Sequence, residues 1–277
     1  MKILLLGKKY RKVKIMKYFG GCDVGSTYTK CVIIDETGQI VAHTTIRSKI
    51  NAEISAKDAL DSTIKQVEGL KEIGDLAYLV GTGYGRNKVP QADENISEIS
   101  CHAMGVHVTN PDVKAIIDIG GQDVKGIQID SDGTVKTFSM NDKCAAGTGR
   151  FFEAMANAFE CSLDEFSQLS LSAKNAIPIT AQCTVFAESE VITLVGEGKP
   201  RDEIAAGIQQ AVAKRCFVMA KKAGATDKIT LTGGCAKNAG LKKAIENVLR
   251  IKVVELKTDP QLMGALGAAE YARQKGM

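Results

Sequence analysis

A chain of 277 residues is long for one hydrophobic core and sufficient for two domains of ordinary size. Its 44% hydrophobic and 25% charged residues match a soluble globular protein, and the net charge of +4, concentrated in Lys8, Lys9, Arg11, Lys12, Lys14 and Lys17, is too mild for a nucleic-acid footprint. No apolar run reaches the length of a membrane span, and Ile3 to Leu6 is too short for a signal peptide's hydrophobic region; a cytoplasmic protein with no nucleic-acid or membrane partner is expected.

In chain order, residues 1–17 read as an N-terminal extension, with Met16 as an alternative start. Tyr18 to Asp23 reads as a strand running into D-V-G-S-T-Y-T-K, followed by strands at Cys31 to Ile34 and Gln39 to Thr45 around a turn at Asp35 to Gly38. A helix over Ala52 to Leu70, a buried strand over Leu76 to Val80, the run G-T-G-Y-G-R at Gly81 to Arg86 and a helix over Ser97 to Val108 come next. The opening pattern then recurs. Placing Asp118 under Asp23 brings Gly120 under Gly25, Lys125 under Lys30, Asp130 under Asp35 and Gly133 under Gly38, without a gap. The apolar neighbours Val24/Ile119, Val32/Ile127 and Ile34/Ile129 correspond as well, so a duplication is expected.

The second half continues with a helix over Arg201 to Ala223, a strand over Lys228 to Leu231, T-G-G at Thr232 to Gly234, a helix over Asn238 to Leu249, a strand at Val253 and Val254, and a small-residue helix containing G-A-L-G-A-A at Gly264 to Ala269. The expected division is 18–112 for the first lobe and 113–277 for the second, with helices inserted at about 144–200.

Two Asp-x-Gly turns between antiparallel strands can face one another across a cleft between duplicated lobes, where glycines and small hydroxyl residues let backbone N–H groups approach phosphate. Asp23 and Asp118 would then hold magnesium through water. D-V-G-S-T alone also fits a plain hairpin turn; its pairing in register, with a late T-G-G, points to phosphate. Lys30 and Lys125 either neutralise phosphate or sit on exposed strand faces.

The insertion sets Cys144 in N-D-K-C-A-A-G-T-G-R, directly before an apolar helical pattern (Phe151, Phe152, Met155, Phe159). A thiolate at a helix N-terminus suits a reactive thiol, a metal ligand or a phosphate-touching loop, and a buried structural cysteine beside a turn fits equally. None of the eight cysteines forms a C-x-x-C pair, so any cluster must draw ligands from distant loops or two chains. Cys22 and Cys235 read as packing at strand ends, and Cys31, Cys161 and Cys216 as core. His102 and His107 read as structural or surface residues, and Glu188 and Glu190 as exposed helix charges.

The paired turns and the late Gly-Gly resemble the ATPase superfamily of actin, sugar kinases and heat-shock chaperones over residues 18–275. The resemblance implies an α/β protein of two duplicated actin-like (ribonuclease H-like) lobes with the nucleotide cleft between them. It implies Asp23, Gly25, Ser26 and Thr27 as the first phosphate loop, Asp118, Gly120, Gly121 and Gln122 as the second, and Gly233 and Gly234 as nucleotide contacts; Gln122 is the candidate for orienting the attacking water. More narrowly, the Cys144 run, C-T-V-F-A-E-S-E-V-I from Cys183, D-V-G-S-T, T-G-Y-G-R-N and D-I-G-G-Q-D resemble the activators of 2-hydroxyacyl-CoA dehydratases, a family that includes benzoyl-CoA reductase ATPase subunits and reductases of double-cubane iron-sulfur proteins.

That resemblance implies an oxygen-sensitive homodimer from an anaerobic host, sharing one 4Fe-4S cluster held by Cys144 and Cys183 of each chain. It implies an ATPase that binds ATP and Mg2+ and passes low-potential electrons from reduced ferredoxin or flavodoxin to a 2-hydroxyacyl-CoA dehydratase or a double-cubane cluster protein. Helices starting near Cys144 and after Cys183 would carry the movement, their N-termini aimed at the cluster. The alternatives are a small-molecule kinase of the same superfamily without a cluster, and a nucleotide-dependent scaffold tolerant of losing both cysteines.

Overall fold

The computed structural model describes residues 16–141, 147–180 and 184–277. The first lobe holds β1 (Tyr18–Val24), β2 (Tyr28–Asp35), β3 (Ile40–Arg47), α1 (Ala52–Ile64), β4 (Tyr78–Thr82), β5 (Glu94–Asn95) and α2 (Glu98–Thr109). Its sheet runs β3-β2-β1-β4-β5, antiparallel as far as β1 and parallel from β1 to β5. The second lobe repeats the plan with β6 (Ala115–Ile119), β7 (Val124–Ile129), β8 (Val135–Asn141) and β9 (Ile229–Thr232) in the order β8-β7-β6-β9.

The repeat extends to backbone detail. Asp23 pairs with Lys30 and Asp118 with Lys125; the ladder β2–β3 slips at Ile33/Ile34 and β7–β8 at the corresponding Gln128/Ile129. Gly25 N–H donates to Tyr28 O at 3.1 Å and Gly120 N–H to Asp123 O at 3.0 Å. The glycine that the two turns share thus closes the same hydrogen-bonded hairpin in each, as the repeat predicts.

Three apolar clusters explain why the central strands are apolar along nearly their whole length: both faces are covered. Cys22, Val24, Cys31 and Ile33 face α1, whereas Phe19, Val32 and Ile34 face α2 and α8 (Met263–Gly276). Ile116, Ile127 and Ile129 of the second sheet join that same central cluster, while Ile117 and Ile119 face the helices of the second lobe. Those are α3 (Gly149–Ala158), α4 (Leu163–Ser172), α5 (Thr184–Gly196), α6 (Arg201–Lys222) and α7 (Ala239–Leu249). The chain's last helix therefore packs on the first sheet, against β1, β2 and β4, and crosses α2, which in turn touches β7 and β8 of the second sheet. Its small residues allow this: a Cβ on Gly267 would stand 1.8 Å from Cys101 O, and one on Gly105 of α2 would stand 2.1 Å from Met263 O.

Two sequence expectations fail. α1 ends at Ile64 rather than Leu70, because the chain turns through Gln66 N–H to Thr63 O and Val67 N–H to Ile64 O, and Gly69 adopts φ 95°. Val253 and Val254 form no strand: Val254 N–H does reach Ile229 O, but its carbonyl is taken by the Thr230 hydroxyl at 2.7 Å, which ends the ladder after one bond.

Candidate functional site: paired loops over an interlobe cleft

β1 and β6 each deliver an aspartate to the floor of one cleft of about 820 Å³, and the turn after each strand closes over it. Asp23, Gly25, Ser26, Thr27, Lys30, Asp118, Gly120, Gly121, Gln122, Gly233 and Gly234, each expected from the sequence, all line this cleft. The loops touch: a Cβ on Gly121 would lie 2.1 Å from Thr27 Oγ1 and 3.2 Å from Ser26 Oγ. Thr27 Oγ1 is buried and has no hydrogen-bond partner. A buried hydroxyl left unsatisfied costs free energy, so this position can take up an incoming hydrogen-bonding group.

Each aspartate is matched to a lysine from the next strand. Lys30 Nζ lies 2.6 Å from Asp23 Oδ2. Lys125 Nζ lies 3.3 Å from Asp118 Oδ2 and 2.7 Å from Asp123 Oδ2. These lysines are not on exposed strand faces; Lys125 is only 2% exposed. Burial opposes ionisation of Asp118, yet His102, Lys125, the Thr232 hydroxyl and Lys30 together outweigh it and hold the carboxyl down at about 2. Burial raises Asp123, with Lys125 opposing and Asp118 reinforcing the rise. Burial also works against the Lys125 charge, but Asp118 and Asp123 push its pKa well above the ordinary lysine value. The floor is thus a fixed lattice of charges.

β4 and β9 end alike. Thr82 pairs with Asp23 and Thr232 with Asp118, and the next residues, Gly83 and Gly233, adopt φ of 88° and 83°. A Cβ on Gly233 would lie 2.3 Å from Ile119 O and 2.9 Å from Asp118 Oδ1, so only glycine lets the turn close against the aspartate. On the far side, Cys235, Lys237, Asn238 and Gln261 complete the second-lobe wall, where Lys237 Nζ binds Asp259 Oδ2 at 2.7 Å and Gln261 Oε1 at 3.0 Å.

α3 is fastened to the second loop. Gly149 N–H donates to Gly120 O at 2.9 Å and Arg150 N–H to Gly121 O at 3.0 Å. The first two donors of this helix therefore hold the loop's carbonyls. Cys144 and Cys183 lie outside the described residues; α3 begins at Gly149 and α5 at Thr184. Among the described residues no group of three or more His, Cys, Asp or Glu side chains could hold a metal ion.

Several residues differ from their sequence reading. His102 is neither a surface residue nor plain core: it is 5% exposed, in the cleft floor, with Nδ1 3.0 Å from Thr232 Oγ1 and 3.5 Å from Asp118 Oδ1. Glu98, bound to Arg86 at 3.2 Å, also reaches the cleft. Glu190 is not a free helix charge, since it accepts from Thr180 N–H at 3.0 Å and from its hydroxyl at 2.9 Å. Cys161 is half-buried rather than core, and Cys235 faces the cleft.

Duplicated lobes meeting at paired Asp-x-Gly loops define an ATPase of the actin-like fold. Residues 21–272 match the BadF/BadG/BcrA/BcrD ATPase family, and the chain belongs to that family. It is 46% identical over 255 residues to the activator of lactoyl-CoA dehydratase of Anaerotignum propionicum, covering 92% of this chain and 97% of that protein. The crystal structure of the (R)-2-hydroxyglutaryl-CoA dehydratase component A of Acidaminococcus fermentans superposes with a TM-score of 0.88 at 40% identity, over 94% of this chain and 99% of the other. The activator of the 2-hydroxyisocaproyl-CoA dehydratase from Clostridium difficile, solved with bound ADPNP, gives a TM-score of 0.87 at 41% identity, over 94% and 95% of the two chains.

Proposed function

We propose that this ATPase is a low-potential electron donor that activates a 2-hydroxyacyl-CoA dehydratase or a related double-cubane iron-sulfur partner. The observation that carries the reading is the pair of hydrogen bonds from Gly149 and Arg150 to Gly120 and Gly121, which ties the segment after Cys144 to the second phosphate loop. The full-length similarity to three dehydratase activators supports the same choice.

The cleft fits a nucleotide because Thr27 Oγ1 waits unsatisfied between two glycine-bearing loops. Gly25, Ser26 and Thr27 from one side and Gly120 and Gly121 from the other hold the phosphates; Gly233 and Gly234 border the nucleoside. Asp23 and Asp118 hold magnesium, largely through water, while Lys30 balances phosphate charge and Gln122 orients water. When bound, magnesium ATP would draw the two loops together, and its hydrolysis would make the transfer irreversible and reset the switch. The two loops close on it from opposite lobes, and α3, hydrogen-bonded to one of them, moves with the second. Cys144 and Cys183 of two chains would hold one 4Fe-4S cluster, which when bound supplies one-electron chemistry. Reduced ferredoxin or flavodoxin reloads the homodimer, in the cytoplasm of an anaerobe. No helix among the described residues is long and apolar enough to cross a membrane.

The test mixes anaerobically reduced protein with lactoyl-type and hydroxyglutaryl-type dehydratases. Dehydratase activity should appear with ATP and fail with a non-hydrolysable analogue. Hydrolysis of ATP that activates neither dehydratase and no double-cubane partner contradicts the reading.

A further inference from the structure

His102 belongs to α2, yet its ring sits where the two lobes meet. Thr232 Oγ1 lies 2.8 Å from Asp118 Oδ1 and donates its single proton there, because an ionised carboxylate can only accept. The contact of 3.0 Å between His102 Nδ1 and Thr232 Oγ1 must then run the other way, with the ring donating. This places a proton on Nδ1 and orders a relay from ring to hydroxyl to carboxylate. Asp118 is consequently held at both oxygens: Oδ1 by Thr232 and Oδ2 by Lys125. The other ring nitrogen faces the first lobe, since a Cβ on Gly264 would lie 2.9 Å from His102 Nε2 and 2.9 Å from Asp23 Oδ2. Cys101, the preceding residue, faces Thr82, the threonine paired with Asp23. Adjacent residues of one helix thus address equivalent threonines in the two lobes.

We propose that His102 is a positioning residue for nucleotide hydrolysis, orienting the Asp118 carboxylate through the Thr232 hydroxyl so that the second phosphate loop keeps register with α2. The relay makes the aspartate of one lobe answer to a helix of the other. A generic buried histidine would only fill space; this one donates to the Thr232 hydroxyl from one side while the carboxylate accepts from it on the other, which holds that side chain between two partners. The inference rests on the ATPase reading.

The test is a double-mutant cycle with His102→Leu and Thr232→Val on the intact protein, measuring kcat and KM for ATP hydrolysis and thermal melting. Each single change should lower kcat about tenfold with KM within about threefold, and the double variant should lose no more than either alone. His102→Asn, whose amide can replace the Nδ1 donor, should recover to within about threefold of wild type. Additive losses, a wild-type kcat in either single variant, or failure of His102→Asn to recover overturns the proposal. If His102→Leu does not fold, Thr232→Val, which preserves volume, and His102→Asn decide it by the same criteria. A wild-type protein that hydrolyses no ATP sinks the ATPase reading instead, which keeps the two failures apart.

Discussion

Asp118 shows how a single carboxylate is prepared for its task. Burial alone would keep it protonated, but His102, Lys125 and Thr232 reverse that, leaving the pKa at about 2. A depressed pKa stabilises the folded chain above the unfolded carboxylate's value, and this contribution is lost as pH falls through the folded value. The contribution is on the order of 2 kcal/mol at neutral pH, and about half is gone by pH 3. The stability difference between wild type and Asp118→Asn in urea unfolding should therefore narrow by about 1 kcal/mol between pH 6 and pH 3; a constant difference would contradict this origin. Gly233 offers a second check. Its φ of 83° and ψ of 175° suit glycine, and a methyl group would collide with Ile119 O. Gly233→Ala should cost about 2 kcal/mol or more in unfolding free energy and weaken ATP binding, whereas stability equal to wild type would show that the turn can shift. The aspartates and glycines were legible in the sequence because the same turn chemistry appears twice. His102 was not, since a lone histidine among Ala103, Met104 and Val106 carries no local sign of a partner 130 residues away.

Among the elements, the crossing of α2 and α8 joins the lobes, and it depends on backbone approach. Gly105 and Gly267 let the helices come within contact of each other's carbonyls. Gly267→Leu should cost about 3 kcal/mol or prevent folding, because the side chain has no room between the helices. Gly196→Ala, with nothing within 4 Å of its Cβ, should leave the melt within about 1 kcal/mol of wild type. Equal behaviour of the two variants in denaturant unfolding would contradict the account. The small-residue run from Gly264 to Ala269 announced a tightly packed helix, and its position on the first sheet, crossed by α2, followed only from the fold. Element ends were less legible. The continuing pattern of Val67 and Leu70 looked helical, but those side chains reach the core from a turn. Val253 and Val254 looked like a strand because both are β-branched, yet Thr230 intercepts the carbonyl that a ladder would need.

At the scale of the whole molecule, two similar halves enclose one cleft, and the second half carries three helices, α3 to α5, between β8 and α6. The hydrogen bonds from α3 to Gly120 and Gly121 fasten the insertion to the loop that follows β6. Only the family resemblance singled out Cys144 and Cys183; composition and spacing could say only that any ligand set must be gathered from afar. The central claim is that each dimer carries one cluster that ATP-driven movement puts to use. Its most direct test is the iron and acid-labile sulfide content of protein purified without oxygen, with the visible spectrum, for wild type, Cys144→Ser and Cys183→Ser. The account predicts about one four-iron cluster per dimer in wild type and its loss in each variant. A wild type that stays colourless after reconstitution with iron and sulfide would contradict it and leave a two-lobed ATPase with a different task.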